Sequence, residues 1–195
     1  NKLEKNDSRI TFIHSLLLQI NKSLNTYDSS VFCYYGNPLK IWQKIISNHD
    51  IDTVFWNKDY EPYAKKRDHE IYKLLNFNNI NVKTFKDQVV FEEFDIVKDD
   101  GSPYLVFTPY KKKWLNVYNN LLTCRSEKNH FEANFSNLLK QKSHIISLSE
   151  LGFVKSKVKV KDYNLDYISN YDAIRNFPHQ DQTSYLSPHL RFGTI

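Results

Sequence analysis

The 195 residues are 41% hydrophobic and 15% aromatic, enough to bury one sizeable core and part of another, which excludes a disordered chain. A formal charge of +5 at pH 7 is compatible with a polyanionic partner but too modest to name one. Cys33 and Cys124, far apart and outside any C-x-x-C pattern, argue against a disulfide scaffold or a zinc site, and no run approaches 18 apolar residues, so a cytoplasmic protein with no membrane partner is expected.

The opening residues, NKLEKNDSR, carry neither an apolar signal core nor an initiating methionine, and the chain is expected to be an internal piece of a longer reading frame. Ile10, Ile13, Leu16, Leu17, Ile20 and Leu24 recur at helical spacing, and SVFCYY then reads as a short strand ending at Gly36. Pro38 opens a second helix through Leu39, Trp42, Ile45 and Ile46, followed by a buried strand at DTVFW. A third helix runs from about Glu61 through Ile71, Leu74 and Leu75, and INVKTF supplies a third strand. The alternation predicts an α/β fold, a Rossmann-like parallel sheet covered by helices on both faces. DDGSPY then makes a turn, and TPYKKKWLNVYNNLL a helix with Trp114, Val117 and Leu121 inward.

From Cys124 to Asp166 the periodicity gives way to a Ser- and Lys-rich linker that includes LSELGF and KSKVKVKD. In an extended chain Lys155, Lys157, Lys159 and Lys161 share one side, either as a solvated face or as a track for phosphates. The chain closes on RNFPHQDQTSYLSPHLRFGTI, where Ser187 as N-cap and Pro188 in the first turn predict a helix opening at Ser187. With Thr183 and Ser184 beside it, that opening is either a capped helix after a polar loop or half of a phosphate site.

Several enzyme classes drop out. Gly36, Gly101, Gly152 and Gly193 cannot be written into a P-loop or a G-x-G-x-x-G fingerprint, and neither H-E-x-x-H nor G-x-S-x-G occurs. His69, between Asp68 and Glu70, reads as a surface helix residue and not as a ligand. No catalytic residue or metal ligand is assigned; any chemistry must come from a bound cofactor or from residues beyond Ile195.

Three blocks, FWNKDYEPYAKKRD (Phe55 to Asp68), DDGSPYLVFTPYKKKW (Asp99 to Trp114) and YDAIRNFPHQDQTSYLSPHLRFGTI (Tyr171 to Ile195), resemble in order and rough spacing the DNA photolyase/cryptochrome family, most closely its class I cyclobutane pyrimidine dimer photolyases. The resemblance covers nearly the whole chain. It implies an α/β antenna domain over residues 1–123 that lacks its first strand, an interdomain linker over 124–166, and over 167–195 the start of an all-helical domain that holds FAD. Without that central strand the stretch is expected to fold poorly by itself. Position by position, the resemblance assigns Tyr171, Thr183, Ser184, Leu186 and Ser187 to FAD and Arg175 to the damaged DNA strand.

The implied activity is that of a flavoprotein lyase, a monomer acting on UV-damaged DNA. Blue light excites reduced FAD, an electron passes to a flipped-out pyrimidine dimer, and the ring splits. The family's substrate-pocket residues follow Ile195, so this stretch alone is expected to be inactive. Trp42, Trp56 and Trp114 fall in the antenna domain as core residues, apart from the tryptophans that reduce the flavin. A second antenna chromophore is also implied. Folate-using relatives place an asparagine and a glutamate where this sequence has Tyr63 and Ala64, which argues against folate and leaves a deazaflavin, a flavin or no pigment. The same residues fit a cryptochrome-type photoreceptor, and a non-catalytic α/β ligand-binding module is the alternative from outside the family.

Overall fold

Asp7 starts the first helix. Its carboxylate pairs with the Arg9 guanidinium and accepts from the Arg9 backbone N–H at 2.9 Å, which holds its pKa down to about 2. The computed structural model describes residues 3–124 and 131–195. In chain order the elements are α1 (Ser8–Asn25), α2 (Pro38–Asn48), β1 (Thr53–Asn57), α3 (Pro62–Phe77), β2 (Asn81–Phe85), α4 (Phe107–Cys124), α5 (Tyr171–Ile174) and α6 (Leu186–Phe192). Short 3₁₀ turns lie at Phe131–Asn137, Ile168–Asn170 and Pro178–Gln180. No helix among the described residues is long and apolar enough to cross a membrane.

The chain forms two compact units, Tyr35–His130 and a discontinuous one built from Asn1–Tyr34 with Phe131–Ile195. In the contiguous unit, Asn37 caps α2 through the Lys40 N–H, with Pro38 in the first turn. β1 and β2 pair in parallel from Thr53↔Asn81 to Asn57↔Phe85. Val54, Ile71, Leu75 and Ile80 make the buried core, with Trp42, Ile46, Ile51, Trp56 and Val82 packed against it. The end of α3 fixes β2 in place. Asn79 adopts φ +59°, its N–H returns to the Asn76 carbonyl at 3.1 Å, and the Ile80 N–H returns to the Leu75 carbonyl at 3.0 Å. This paired closure lays Ile80 on Leu75 and delivers the chain into the strand, where the Asn81 N–H meets the Asp52 carbonyl at 2.9 Å.

Three expectations change here. SVFCYY forms no strand: Ser29 and Ser30 are buried, the Ser30 hydroxyl donates to the Gln141 carbonyl, and the Val31 N–H donates to the Asn21 side chain and not to a neighbouring strand. The sheet among the described residues therefore has two strands. Helices on both faces are not seen either, since Phe55 and Phe85 stack 6.3 Å apart on the face away from Val54 and stay more than half exposed. On α4, Trp114 and Val117 are half-buried as expected, but Leu121 is exposed. Trp114 stacks on Tyr118 at 4.9 Å and meets Phe91 edge-on at 5.2 Å.

In the discontinuous unit the Ser- and Lys-rich segment is ordered against α1. The His14 Nε2–H donates to the Ile146 carbonyl, the Ser156 N–H donates to Thr11 Oγ1, and the Val154 N–H donates to the Lys5 carbonyl. LSELGF is a single capped turn in which Glu150 accepts from both the N–H and hydroxyl of Ser147, at 2.8 and 2.6 Å. Those bonds, with His144 at 3.3 Å, pull the Glu150 pKa down to about 2. A depressed carboxylate favours the closed turn above the ordinary glutamate value and loses that contribution as pH falls through about 2. An NMR titration of the Glu150 carboxyl is expected to show a midpoint near that value; an ordinary midpoint above 4 would mean the turn is open in solution.

Candidate functional site

The stretch from Asp181 to Ser187 gathers most of the polar residues singled out near the C-terminal end. Two residues there have left-handed backbone, Asp181 at φ +46° and Tyr185 at φ +54°, and they bracket Thr183 and Ser184. Non-glycine residues adopt this region at a cost, so the turn is held by contacts. α6 starts at Leu186, with Tyr185 and not Ser187 at its N-cap position, two residues earlier than expected. The left-handed turn at Tyr185 already redirects the chain, which places Ser187 and Pro188 inside the first turn. No side chain caps that turn.

Thr183, Ser184 and Leu186 are half-buried and Ser187 is exposed. Among the described residues, none of the hydroxyls of Thr183, Ser184 and Ser187 has a hydrogen-bond partner, whereas the Ser184 carbonyl accepts from the Asn164 N–H at 2.9 Å. Three unengaged hydroxyls next to an uncapped helical turn form a donor set suited to phosphate or sugar oxygens. Behind them α6 is anchored by His189, which is buried: its Nε2–H donates to the Lys161 carbonyl at 2.9 Å, Nδ1 lies 2.7 Å from Thr194 Oγ1, and its ring meets Phe12 and Tyr163 edge-on. Sequence reasoning missed His189, a buried anchor on a short helix that carries no motif.

Tyr171 opens α5 and Arg175 follows its end, the Arg175 N–H donating to the Tyr171 carbonyl at 2.9 Å. Both side chains are exposed, and Arg175 sits 3.4 Å from the exposed Asp172. Among the described residues no hydrogen bond joins them to the Thr183–Ser187 stretch. The lysine row is also divided: Lys155, Lys157 and Lys159 are exposed without an ion pair among the described residues, while Lys161 is bound to Asp181 and Tyr185.

A second site lies in the contiguous unit, where Lys58, Asp59, Tyr60 and Lys65 beyond β1 face Asp87–Asp95 beyond β2 around a cleft of about 530 Å³. It opens at the carboxyl ends of the parallel strands, the usual ligand position in such sheets. Its apolar walls include Tyr60, Phe91 and Phe94. Lys58 pairs with Glu92 at 3.0 Å and Lys86 pairs with Asp95; five carboxylates against Lys58 and Lys65 leave the lining net acidic. Lys86 and the Glu92 N–H hold the Asp95 pKa below the usual carboxylate range. These loop residues were not legible as a site, although the strand-end rule would have pointed to them once the strands were placed. Of the two positions that argued against folate, Tyr63 is exposed over Arg67, and Ala64 is buried in α3, where its methyl offers no hydrogen bond.

The family model described as DNA photolyase matches residues 2–129. The chain belongs to the DNA photolyase family. Among curated photolyase relatives, the deoxyribodipyrimidine photo-lyase of Halobacterium salinarum is 28% identical over 200 residues, covering 96% of this chain and 41% of its own length. That of a Synechococcus strain is 25% identical over 96% of this chain and 42% of its own. The chain thus spans about two fifths of the photolyases it matches. Among solved structures, a class III photolyase from Agrobacterium tumefaciens shares the fold at TM-score 0.65 with 24% identity, covering 96% of this chain and 42% of that one. An archaeal photolyase from Sulfolobus tokodaii, which holds two FAD molecules with the implication of a novel light-harvesting cofactor, does so at TM-score 0.60 with 20% identity, covering 98% of this chain and 42% of that one.

Proposed function

We propose that the protein is a deoxyribodipyrimidine photo-lyase of class I type, which repairs cyclobutane pyrimidine dimers in UV-damaged DNA under blue light. The observation that carries this reading is the alignment of curated photo-lyases over 96% of the chain, which takes in both the sheet and the Thr183–Ser187 stretch. FAD, when bound, supplies the photochemistry: one-electron donation to the dimer after excitation.

The chain's own residues bind and orient. The hydroxyls of Thr183, Ser184 and Ser187 would hold the phosphate and ribityl part of the cofactor, with backbone N–H groups of the uncapped first turn of α6 beside them, and Leu186 and Tyr171 would supply apolar contact. Arg175 exchanges its exposed pair with Asp172, worth at most about 1 kcal/mol, for a bidentate contact to a DNA phosphate. The cleft beyond β1 and β2 takes the antenna pigment. Its aromatic walls suit a ring system, and its net acidic lining disfavours one whose anionic tail lies inside.

The experiment that tests this is the loss of thymine dimers from UV-irradiated DNA, with protein expressed from the full reading frame that carries this sequence and a dark control. Loss in the light alone is the expected result. Flavin bound without dimer loss would support a cryptochrome-type photoreceptor instead, and absence of flavin would leave a non-catalytic α/β module.

A further inference from the structure

Lys161 lies in the linker, twenty residues before the loop that carries the unengaged hydroxyls, yet it reaches that loop at both ends. Its ammonium donates to Asp181 at 2.9 and 3.0 Å and to the Tyr185 hydroxyl at 2.9 Å, and it lies 4.3 Å from the centroid of the Tyr185 ring. Asp181 and Tyr185 are the two left-handed residues of the stretch. One ammonium therefore grips the pair whose backbone is disfavoured, and Thr183 and Ser184 lie between them.

The grip has a fixed base. The Lys161 carbonyl accepts from the buried His189 ring, which is packed by Phe12 and Tyr163, and three residues on the Asn164 N–H holds the Ser184 carbonyl. The segment 161–164 thus binds the 181–189 stretch through the side chains of Asp181 and Tyr185, the backbone of Ser184, and His189. An isolated exposed ion pair contributes little. Here the pair acts on backbone geometry: among the described residues Lys161 is the hydrogen-bond partner of both the Asp181 and the Tyr185 side chain, and so opposes their relaxation out of the left-handed region.

We propose that Lys161 is a positioning residue which holds the Asp181–Tyr185 turn in its left-handed form and so presents the Thr183 and Ser184 hydroxyls to the cofactor in one arrangement. The proposal rests on the flavin reading of that loop. It also separates Lys161 from Lys155, Lys157 and Lys159, which are exposed and have no ion pair among the described residues.

The test uses the full-length protein and two readouts: flavin affinity by fluorescence titration, and hydrogen exchange of peptides spanning residues 181–187 in flavin-free protein. Lys161→Met is expected to weaken flavin binding about tenfold and to raise exchange in 181–187, with the Tyr35–His130 unit unchanged. Lys161→Arg should restore part of both. Asp181→Gly placed in the Lys161→Met background should recover affinity, because glycine adopts φ above zero without a hold; a lysine of purely general stabilising effect would not be compensated there. Unchanged affinity and exchange in Lys161→Met overturn the proposal while leaving the flavin site standing. A wild-type protein that binds no flavin overturns the site reading, and the positioning role with it.

Discussion

Replacing Leu75 with alanine is expected to lower the stability of the Tyr35–His130 unit by about 3 to 4 kcal/mol. Among the described residues Leu75 is the one large side chain with no exposure, and it belongs to the same buried cluster as the sheet residue Val54 and the closing residue Ile80. Alanine keeps the helix propensity of α3, so the loss reports the lost apolar burial and the cavity and not a change in the helix. Trp42 and Trp56 pack against this cluster and give the signal in a urea titration followed by fluorescence. Phe77→Ala, two residues on at an exposed position, serves as the control and should stay within about 0.5 kcal/mol. A Leu75→Ala loss below about 1 kcal/mol would show that the cluster is not the core of the unit.

The combined change Thr183→Val with Ser184→Ala is expected to weaken flavin binding about a hundredfold, each lost hydrogen bond to an anionic group accounting for about a factor of ten. Neither hydroxyl has a protein partner among the described residues, so the substitutions leave no orphaned group and should not shift the melting temperature. Titration of the double variant with FAD reads the effect. Wild-type affinity in that variant would remove these hydroxyls from the site.

How far the sequence carried depended on the kind of force at work. α2, β1, α3 and β2 were readable because hydrophobic periodicity and Pro38 act within a few residues. SVFCYY misled because strand propensity says nothing about whether a sheet edge is within reach, and here Asn21 and Gln141 took its polar groups. The hydroxyls near the chain's end stood out from the sequence as a candidate phosphate site, and the family resemblance added the flavin; their unengaged state and the left-handed residues on either side depend on tertiary contacts that no local pattern records. Lys161 looked like one more charge in an alternating run, and only its distance to Asp181 and Tyr185 sets it apart. The cleft beyond the strands is assembled from loops whose residues carry no pattern of their own.

The interrupted unit also has a consequence in time. α1 leaves the ribosome early, but its distant partners, Ile146, Ser156 and His189 among them, lie in Phe131–Ile195 and emerge only after the whole of Tyr35–His130 has been made. At ordinary synthesis rates that interval of roughly 100 residues lasts about 5 to 20 s, far longer than a contiguous α/β segment needs to form its local contacts. The nascent chain thus carries α1 with its apolar face uncovered while the later-started unit closes first, and the order of completion runs opposite to the order of synthesis.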